Sequence, residues 1–227
     1  MKTPLTLFHG SPRIVREPVF GAGNPRNDYG LGFYCTERTE LAAEWACTEG
    51  RDGFVNIYHL DPEGLEVLRL LEPEYHVLNW LAVLLENRIF TLASGLPQEA
   101  KAFVLKRFLP DYRGYDIMVG YRADDSYFAF ANAFLNGTIS LEQLRQAMRL
   151  GELGEQVVVR SERAFESLLF GGILPVPYEE FYPRRMARDR NAREAFRLEK
   201  ERTDVREGVY ILDLIRGNWR NDDARLR

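Results

Sequence analysis

Short strand-like and helix-like segments alternate over the first 60 residues, and this restricts the chain to folds that mix both elements. Residues 5–9 are rich in strand-forming side chains and end at the turn-forming Gly10. Residues 54–60 are β-branched and aromatic, and they predict a second strand. Thr36 is expected to cap a helix between these strands. The apolar face of that helix would be formed by Leu41, Ala42, Trp45 and Ala46.

The middle of the chain has more helical character. Residues 77–88 carry apolar side chains at the spacing of one buried helical face. Ser140 and Gln143 have the spacing of a capping box at the start of a helix. Residues 115–120 and 156–159 predict further strands. A short helix is expected from Phe165, Leu168 and Leu169.

The composition is that of an ordinary globular protein, with 45% hydrophobic and 28% charged residues. The net charge of -4 gives no general attraction to nucleic acid or to an anionic membrane. No apolar run approaches the length that spans a bilayer. The two cysteines do not make a disulfide framework, although a single bridge between Cys35 and Cys47 stays open. We therefore expect a cytoplasmic protein without a membrane partner, in which Cys47 is a buried, unreactive thiol.

The last 44 residues differ in charge from the rest of the chain. Residues 184–227 hold 13 Lys or Arg and 9 Asp or Glu, a balance of +4, whereas residues 1–183 carry -8. This predicts a charged helical extension, residues 184–227, after a main domain of residues 1–183. One interpretation is a solvated helix that docks through its apolar end. The other is a basic surface for RNA, DNA or a partner protein.

Two common kinds of site find no support in the sequence. Gly21-Ala22-Gly23 begins like a dinucleotide fingerprint, but the third glycine is missing and Pro25 stands where the helix should begin. The three histidines are far apart, and neither they nor the cysteines show metal-ligand spacing. The sequence therefore predicts neither a Rossmann fold nor a metal centre.

Three short motifs carry the chemical argument. His9 stands beside Gly10 at a strand end, and a glycine lets a planar amide approach the backbone closely. Phe33 and Tyr34 follow two glycines and offer a stacking surface for a flat heterocycle. Gln156 places a polar side chain at the start of a strand. Taken singly, each has an equally good structural explanation, as a core histidine, a core aromatic residue or a polar strand end.

Together and in this order, the motifs resemble the His–Tyr–Glu class of ADP-ribosyltransferases, to which diphtheria toxin and the poly(ADP-ribose) polymerases belong. More closely, the chain resembles a bacterial family of uncharacterised ADP-ribosyltransferase-like proteins often associated with toxin–antitoxin loci. This resemblance covers about residues 5–175. The matching segments are residues 9–11, 28–34, 42–46, the strand near Tyr58, 80–81, 87–88, 115–120, 123–125 and 156–158.

The resemblance implies an α+β fold in which two small β-sheets form a cleft for NAD, with flanking helices and a C-terminal helical tail. Residues 1–183 would be the NAD-binding domain. His9 would hydrogen-bond a ribose hydroxyl, the backbone of Gly10 would hold the nicotinamide amide, and Tyr34 would stack on the nicotinamide ring. No metal is implied. The residues expected to contact NAD are His9, Gly10, Ser11, Gly32, Phe33, Tyr34 and Thr36.

The third catalytic group departs from the toxin and polymerase pattern. Where those proteins open a strand with a catalytic glutamate, this chain has Glu155 followed by Gln156. Successive strand residues point to opposite faces, so only one of the two can face the cleft, and the closer family matches Gln156. A glutamine can bind a ribose hydroxyl but brings no negative charge. Asp124 and Asp125 are further candidates, with helix capping as their alternative role.

The activity implied by the resemblance is transfer of ADP-ribose from NAD to a protein or nucleic-acid acceptor. The chain would act as the toxin of a toxin–antitoxin pair, with an antitoxin protein as partner. Cleavage of the glycosidic bond develops an oxocarbenium-like charge on the ribose. A nearby anion, or a hydrogen bond to the 2′-hydroxyl, stabilises that charge most in the transition state. Two alternatives stay open: an NAD glycohydrolase, and an NAD-binding or interaction module without activity.

Overall fold

The computed structural model describes residues 4–122, 125–150, 154–202 and 208–226. The chain forms two compact units, and it passes between them several times. The first unit consists of Met1–Arg69, Tyr112–Arg122 and Leu153–Arg188, and the second of Leu70–Asp111, Ala123–Glu152 and Asp189–Arg227. One long helix, Tyr178–Arg202, contains the last boundary between the two units, after Arg188. It also contains residue 183, after which the sequence predicted the C-terminal extension to begin.

Both β-sheets belong to the first unit. The strands are β1 (Leu5–Ser11), β2 (Phe33–Cys35), β3 (Gly53–Leu60), β4 (Val67–Arg69), β5 (Ile117–Tyr121), β6 (Glu155–Val159) and β7 (Leu168–Val176). The helices of the chain are α1 (Thr39–Ala46), α2 (Val77–Asn87), α3 (Leu96–Phe108), α4 (Asp125–Leu135), α5 (Leu141–Ala147), α6 (Glu162–Glu166), α7 (Tyr178–Arg202) and α8 (Ile211–Arg216). Of these, α1, α6 and the start of α7 lie in the first unit. The expected α+β class with two small sheets is confirmed.

The two sheets differ in size and strand direction. The smaller has the order β1-β3-β7 and is antiparallel throughout. The larger has the order β2-β6-β5-β4, and only its β4–β5 pair is parallel. Strands β1 and β2 are therefore edge strands of their own sheets. This matters for the site, because an edge strand keeps one row of backbone groups free of ladder bonds.

Alternate strand residues of both sheets form most of the core of the first unit, together with Leu65 before β4 and Ala164 of α6. The buried members are Leu7, Cys35, Tyr58, Leu60, Leu65, Ile117, Val119, Val157, Val159 and Ala164. A second apolar cluster packs helix α1 against the other face of the small sheet. Its buried members are small side chains, Ala42, Ala43, Ala46, Cys47, Val55 and Val176. Small side chains let a helix approach a sheet closely, and a Cβ at Gly10 or Gly53 would lie 2.0 Å from a backbone oxygen of α1.

A buried carboxylate fixes helix α6 against strand β5. Asp116 is 3% exposed, and its Oδ1 accepts a hydrogen bond from Arg163 Nε at 2.7 Å, with a second contact from the same guanidinium to Oδ2. Its Oδ2 also accepts from the backbone N–H of Glu66 at 2.7 Å. The Arg163 guanidinium is the largest cause that lowers the pKa of Asp116 to about 2 from 3.8. The pair thereby holds the helix that carries Phe165.

The described segments of the second unit contain helices joined by loops, and no strand. Helix α2 is buried along nearly its whole length, as its apolar sequence predicts. Asn79 lies within it, fully buried, and donates from Nδ2 to the carbonyl oxygen of Phe108 at 2.8 Å. The predicted capping box at α5 is confirmed: Ser140 N–H donates to Gln143 Oε1 at 2.8 Å, and Gln143 N–H donates to Ser140 Oγ at 3.2 Å. None of the helices in the described ranges is long and apolar enough to cross a membrane.

Two local expectations are wrong. Thr36 does not cap α1, because its backbone pairs with Phe8, and the N-cap position falls to Arg38. Leu168 and Leu169 are not helical, because they open β7 and pair with residues 59 and 60 of β3. That pairing spans more than 100 residues of sequence, so local spacing could not reveal it. Cys35 and Cys47 are both buried and free, as expected for an unreactive Cys47.

Candidate functional site

A cavity of about 530 Å³ opens in the first unit, a size common for small-molecule sites. Its walls come from the end of β1, the segment that follows it, the start of β2 and helix α6. The lining residues are His9, Ser11, Arg13, Ile14, Val15, Arg16, Glu17, Pro18, Val19, Ala22, Gly23, Asn27, Gly32, Phe33, Tyr34 and Phe165. Five of the residues expected to contact NAD are thus brought together: His9, Ser11, Gly32, Phe33 and Tyr34.

The two edge strands β1 and β2 meet at one bridge and then separate. Phe8 N–H donates to the Thr36 carbonyl oxygen at 2.8 Å, and Thr36 N–H donates to the Phe8 carbonyl oxygen at 3.0 Å. One residue further along β1, the side chain of His9 makes the next connection. Its Nδ1 lies 2.7 Å from the carbonyl oxygen of Tyr34. The imidazole of His9 therefore lies at the point where backbone pairing between β1 and the β2 segment ends.

The contact to Tyr34 fixes the tautomer of His9. A carbonyl oxygen only accepts hydrogen bonds, so Nδ1 carries the proton. Burial lowers the pKa of His9 from its ordinary value of 6.5; the hydrogen bond to Tyr34 opposes this, and the charge of Arg122 lowers it further. The imidazole is therefore neutral at pH 7, and Nε2 has a lone pair to accept a hydrogen bond. The ring also packs against Phe33, with centroids 4.4 Å apart.

The lowered pKa of His9 makes a pH-dependent contribution to stability. Between the ordinary value of 6.5 and the lower folded value, the unfolded chain binds a proton that the folded chain does not. The contribution of His9 to the free energy of unfolding should therefore be complete above pH 6.5 and decrease as the pH falls below that value. We expect this decline to be smaller in His9→Asn, whose amide N–H can replace Nδ1 but does not titrate. Urea unfolding at pH 7.5 and 5.5 measures the difference, and equal declines in both proteins would contradict it.

The hydroxyl of Tyr34 is held by the loop that precedes its strand. It donates to the carbonyl oxygen of Gly30 at 2.5 Å and accepts from the N–H of Tyr29 at 3.1 Å. Gly30 has a φ of 77°, in the region that favours glycine, so the turn depends on this residue. The aromatic ring is thus locked in place before any ligand binds. A locked ring is a better stacking surface, because little entropy is lost on binding.

Gly10 is required by the packing of α1. A Cβ at this position would lie 2.0 Å from the carbonyl oxygen of Ala42 and 2.8 Å from the backbone nitrogen of Ala46. Its N–H and C=O have a different role. Backbone groups of a strand point to alternate edges, so those of Gly10 point to the same edge as those of Phe8, away from β3. Past the bridge to Thr36, this edge offers one donor and one acceptor side by side.

Gln156 and Glu155 have opposite environments. Gln156 is 7% exposed, and its Oε1 is buried without a hydrogen-bond partner among the described residues. Glu155 is exposed. Val157 points into the core between the sheets, so strand alternation puts Gln156 and Val158 on the other face, and Val158 pairs directly with Tyr34. Gln156 and the Tyr34 side chain therefore share one face of the larger sheet.

Not all the expected residues line the cavity. Gly10, Thr36, Glu155 and Gln156 are not part of its wall. Thr36 is 2% exposed and uses its backbone in the bridge to Phe8. Asp125 begins helix α4 in the second unit. Asp124 lies outside the described residues. The catalytic roles of Gln156, Glu155 and Asp125 stay predictions.

The structure adds site residues that the sequence did not reveal. Arg13 and Arg16 line the cavity from a segment with no regular pattern, and Phe165 reaches it from α6. Trp45 was expected only on the apolar face of α1. The guanidinium carbons of Arg122 and Arg185 lie 4.1 Å and 3.8 Å from the centre of its ring. Its Nε1 is buried without a partner in the described part of the chain.

One protein-family model matches residues 5–170, and its description is "Protein of unknown function (DUF3990)". The chain belongs to this family. The matched segment contains every residue of the cavity wall, and it ends before α7 begins. No curated protein and no solved structure matches the chain. The cavity therefore lies within the segment that the family model matches.

In the described ranges, no group of three or more His, Cys, Asp or Glu side chains is placed to hold a metal ion. The cavity wall has residue types that suit an organic ligand: aromatic rings, hydroxyl and amide groups, two guanidinium groups and one carboxylate. Such a set recognises a molecule with flat rings, hydroxyls and anionic groups.

Proposed function

We propose that this chain is an NAD-dependent ADP-ribosyltransferase that moves ADP-ribose from NAD to a macromolecular acceptor. The observation that carries this proposal is the neutral imidazole of His9, fixed by Tyr34 where two edge strands separate. Its Nε2 can accept a hydrogen bond from a ribose hydroxyl. The resemblance of the surrounding motifs to the His–Tyr–Glu class supports the same reading.

The free edge of Gly10 suits the carboxamide of nicotinamide. A carboxamide has one N–H donor group and one C=O acceptor, the complement of the donor and acceptor that Gly10 presents. Tyr34 lies on β2, across from this edge of β1, and its ring is held in place by the hydrogen bonds of its hydroxyl. Helix α1, which contacts Gly10, also carries Trp45. The guanidinium groups of Arg122 and Arg185 lie over that indole ring, so the nicotinamide ring, itself a flat cation, would have to displace one of them to stack there.

Bond cleavage in this proposal depends on hydrogen bonding more than on charge. When nicotinamide leaves, positive charge spreads over the ribose ring, and a hydrogen bond from the 2′-hydroxyl to an acceptor stabilises it. Gln156 Oε1 is such an acceptor and lacks a partner among the described residues. It lies on the same face of the sheet as Tyr34. The sugar carbon is then attacked by a nucleophile of the acceptor, which loses a proton as the new glycosidic bond forms.

The neutral amide at position 156 favours a second candidate, an NAD-binding module without turnover. An amide stabilises a developing positive charge less than a carboxylate does. A role as a toxin, with an antitoxin protein as partner, applies only if the chain is an active ADP-ribosyltransferase. The two candidates differ in a simple readout, the release of nicotinamide from NAD.

Gln156→Glu tests both candidates. We expect this variant to release nicotinamide roughly 10-fold faster than the wild type or more, because it adds a negative charge beside the ribose. Burial raises the pKa of an added carboxyl, so the assay is run at pH 8. Glu155→Gln is the matched control at the exposed first position of the same strand, and its rate should not change. Equal rates in Gln156→Glu, Gln156→Ala and wild type would remove Gln156 from the reaction.

A further inference from the structure

One buried side chain, that of Asn56, connects His9 to residues 13–15 of the cavity wall. Asn56 on β3 is 0% exposed and lies opposite His9 in the sheet register. Its Nδ2 donates to the carbonyl oxygens of His9 at 3.2 Å and of Arg13 at 3.3 Å. Its Oδ1 accepts from the N–H of Val15 at 2.8 Å. A single amide therefore satisfies three backbone groups, one on β1 and two on the segment that follows it.

Two further contacts fix the same segment. The hydroxyl of Tyr58, a fully buried residue of β3, donates to the carbonyl oxygen of Val15. The N–H of Arg13 donates to Ser11 Oγ at 3.3 Å. Residues 13–15 have no helix or strand of their own, so these side chains replace a backbone ladder. The segment is thereby ordered in advance of binding, which reduces the entropy that a ligand must overcome.

The ordered segment gives one side of the cavity a positive character. Arg13 and Arg16 line the wall, with Glu17 as the one carboxylate among the lining residues. The aromatic surface comes from Phe33 and Phe165, whose ring centroids are 6.2 Å apart. Guanidinium groups match phosphate oxygens in geometry and charge, and aromatic rings match a base or ribose face. A nucleoside diphosphate has both features.

We propose that Arg13 and Arg16 bind the diphosphate of the dinucleotide, and that Asn56 is the positioning residue that holds Arg13 at a fixed distance from His9. The identity of the dinucleotide as NAD rests on the proposed function above. The phosphate assignment does not, because it follows from the charge and rigidity of the wall. ADP, which has the diphosphate but no nicotinamide, is therefore the probe for this inference.

The first experiment titrates ADP into the full chain by calorimetry. We expect wild type to bind ADP, and Arg13→Ala to bind it roughly 10-fold more weakly or worse, because a charge-assisted hydrogen bond is lost. Arg26→Ala is the matched control, since Arg26 is exposed on the same loop and is not part of the cavity wall. Its affinity should equal that of wild type. Absence of ADP binding to wild type, or equal affinity in Arg13→Ala, would overturn the proposal.

The second experiment separates positioning from stability. Asn56→Asp keeps the acceptor for Val15 but removes the donor to the carbonyls of His9 and Arg13. Asn79→Asp is its counterpart in the second unit, where the lost donor faces only residues of that unit. Both variants should unfold more easily, and only Asn56→Asp should weaken ADP binding, again by roughly 10-fold. Equal loss of ADP affinity in both variants would show a merely structural role for Asn56.

The outcomes distinguish this inference from the proposed function. If ADP binding depends on Arg13 but NAD releases no nicotinamide and binds no more tightly than ADP, the phosphate site stands and the proposed function fails. If NAD is cleaved and His9 is required, but ADP binds equally to wild type and Arg13→Ala, the proposed function stands and the phosphate site fails.

Discussion

Replacing His9 with alanine is expected to lower kcat/KM for NAD cleavage by roughly 100-fold, the loss typical of removing one hydrogen-bonding group that acts on the transition state. The imidazole of His9 joins the two separating strands through its contact with the carbonyl oxygen of Tyr34. Its loss would remove the acceptor that we propose for the ribose hydroxyl, together with this contact to Tyr34. Nicotinamide release over a range of NAD concentrations measures the effect.

His59→Ala is the control for this prediction. His59 lies on β3 of the same sheet, but it is exposed and its nearest polar contact is Thr6 Oγ1 at 3.4 Å. We expect its kcat/KM to match wild type. A similar loss in both histidine variants would attribute the effect to the sheet as a whole. Unchanged kcat/KM in His9→Ala, with circular dichroism showing an intact fold, would remove His9 from the site.

The second large effect is expected at Gly10. In Gly10→Ala the new methyl group would lie 2.0 Å from a backbone oxygen of α1, so strand and helix must move apart. Overpacking of this kind costs about 1–3 kcal/mol or more of the free energy of unfolding. The same movement would displace the backbone edge that we assign to the nicotinamide carboxamide. Stability should therefore fall together with NAD affinity.

Gly114→Ala is the matched control for Gly10. A Cβ at Gly114 meets no atom within 4 Å, and this glycine does not need a positive φ. Urea unfolding should give wild-type stability for Gly114→Ala and a lower midpoint for Gly10→Ala, with similar slopes in both. Equal midpoints in the two variants would show that α1 does not pack against β1 as described.

Local sequence was enough to predict the parts of the site that lie close together in the chain. His9 and Gly10 are adjacent, and the strand that ends beside them was evident from its β-formers. Tyr34 lies on a short aromatic strand entered through two glycines. The two-residue period of strands predicted that only one of Glu155 and Gln156 can face the cleft, and the family resemblance selected Gln156. The strands need only short-range geometry, whereas the choice of these residues as a site came from the family resemblance.

The remaining features depend on contacts between distant residues. Arg13 reaches its place through Asn56, which is 43 residues away and looked like an ordinary strand residue. Phe165 lines the cavity because Asp116 holds α6 in place, and no local pattern links those positions. The local sequence also did not predict that the two units are built from alternating segments of the chain. Composition singled out the charged C-terminal segment, but residues 70–111 and 123–152 group with residues 189–227.

The most direct test of the central claim is a calorimetric titration of NAD into the full chain, which does not need the acceptor. We expect wild type and His59→Ala each to bind one NAD per chain, and His9→Ala to bind it roughly 10-fold more weakly or worse. Absence of binding to wild type at millimolar NAD, or the same dissociation constant in wild type and His9→Ala, would contradict it.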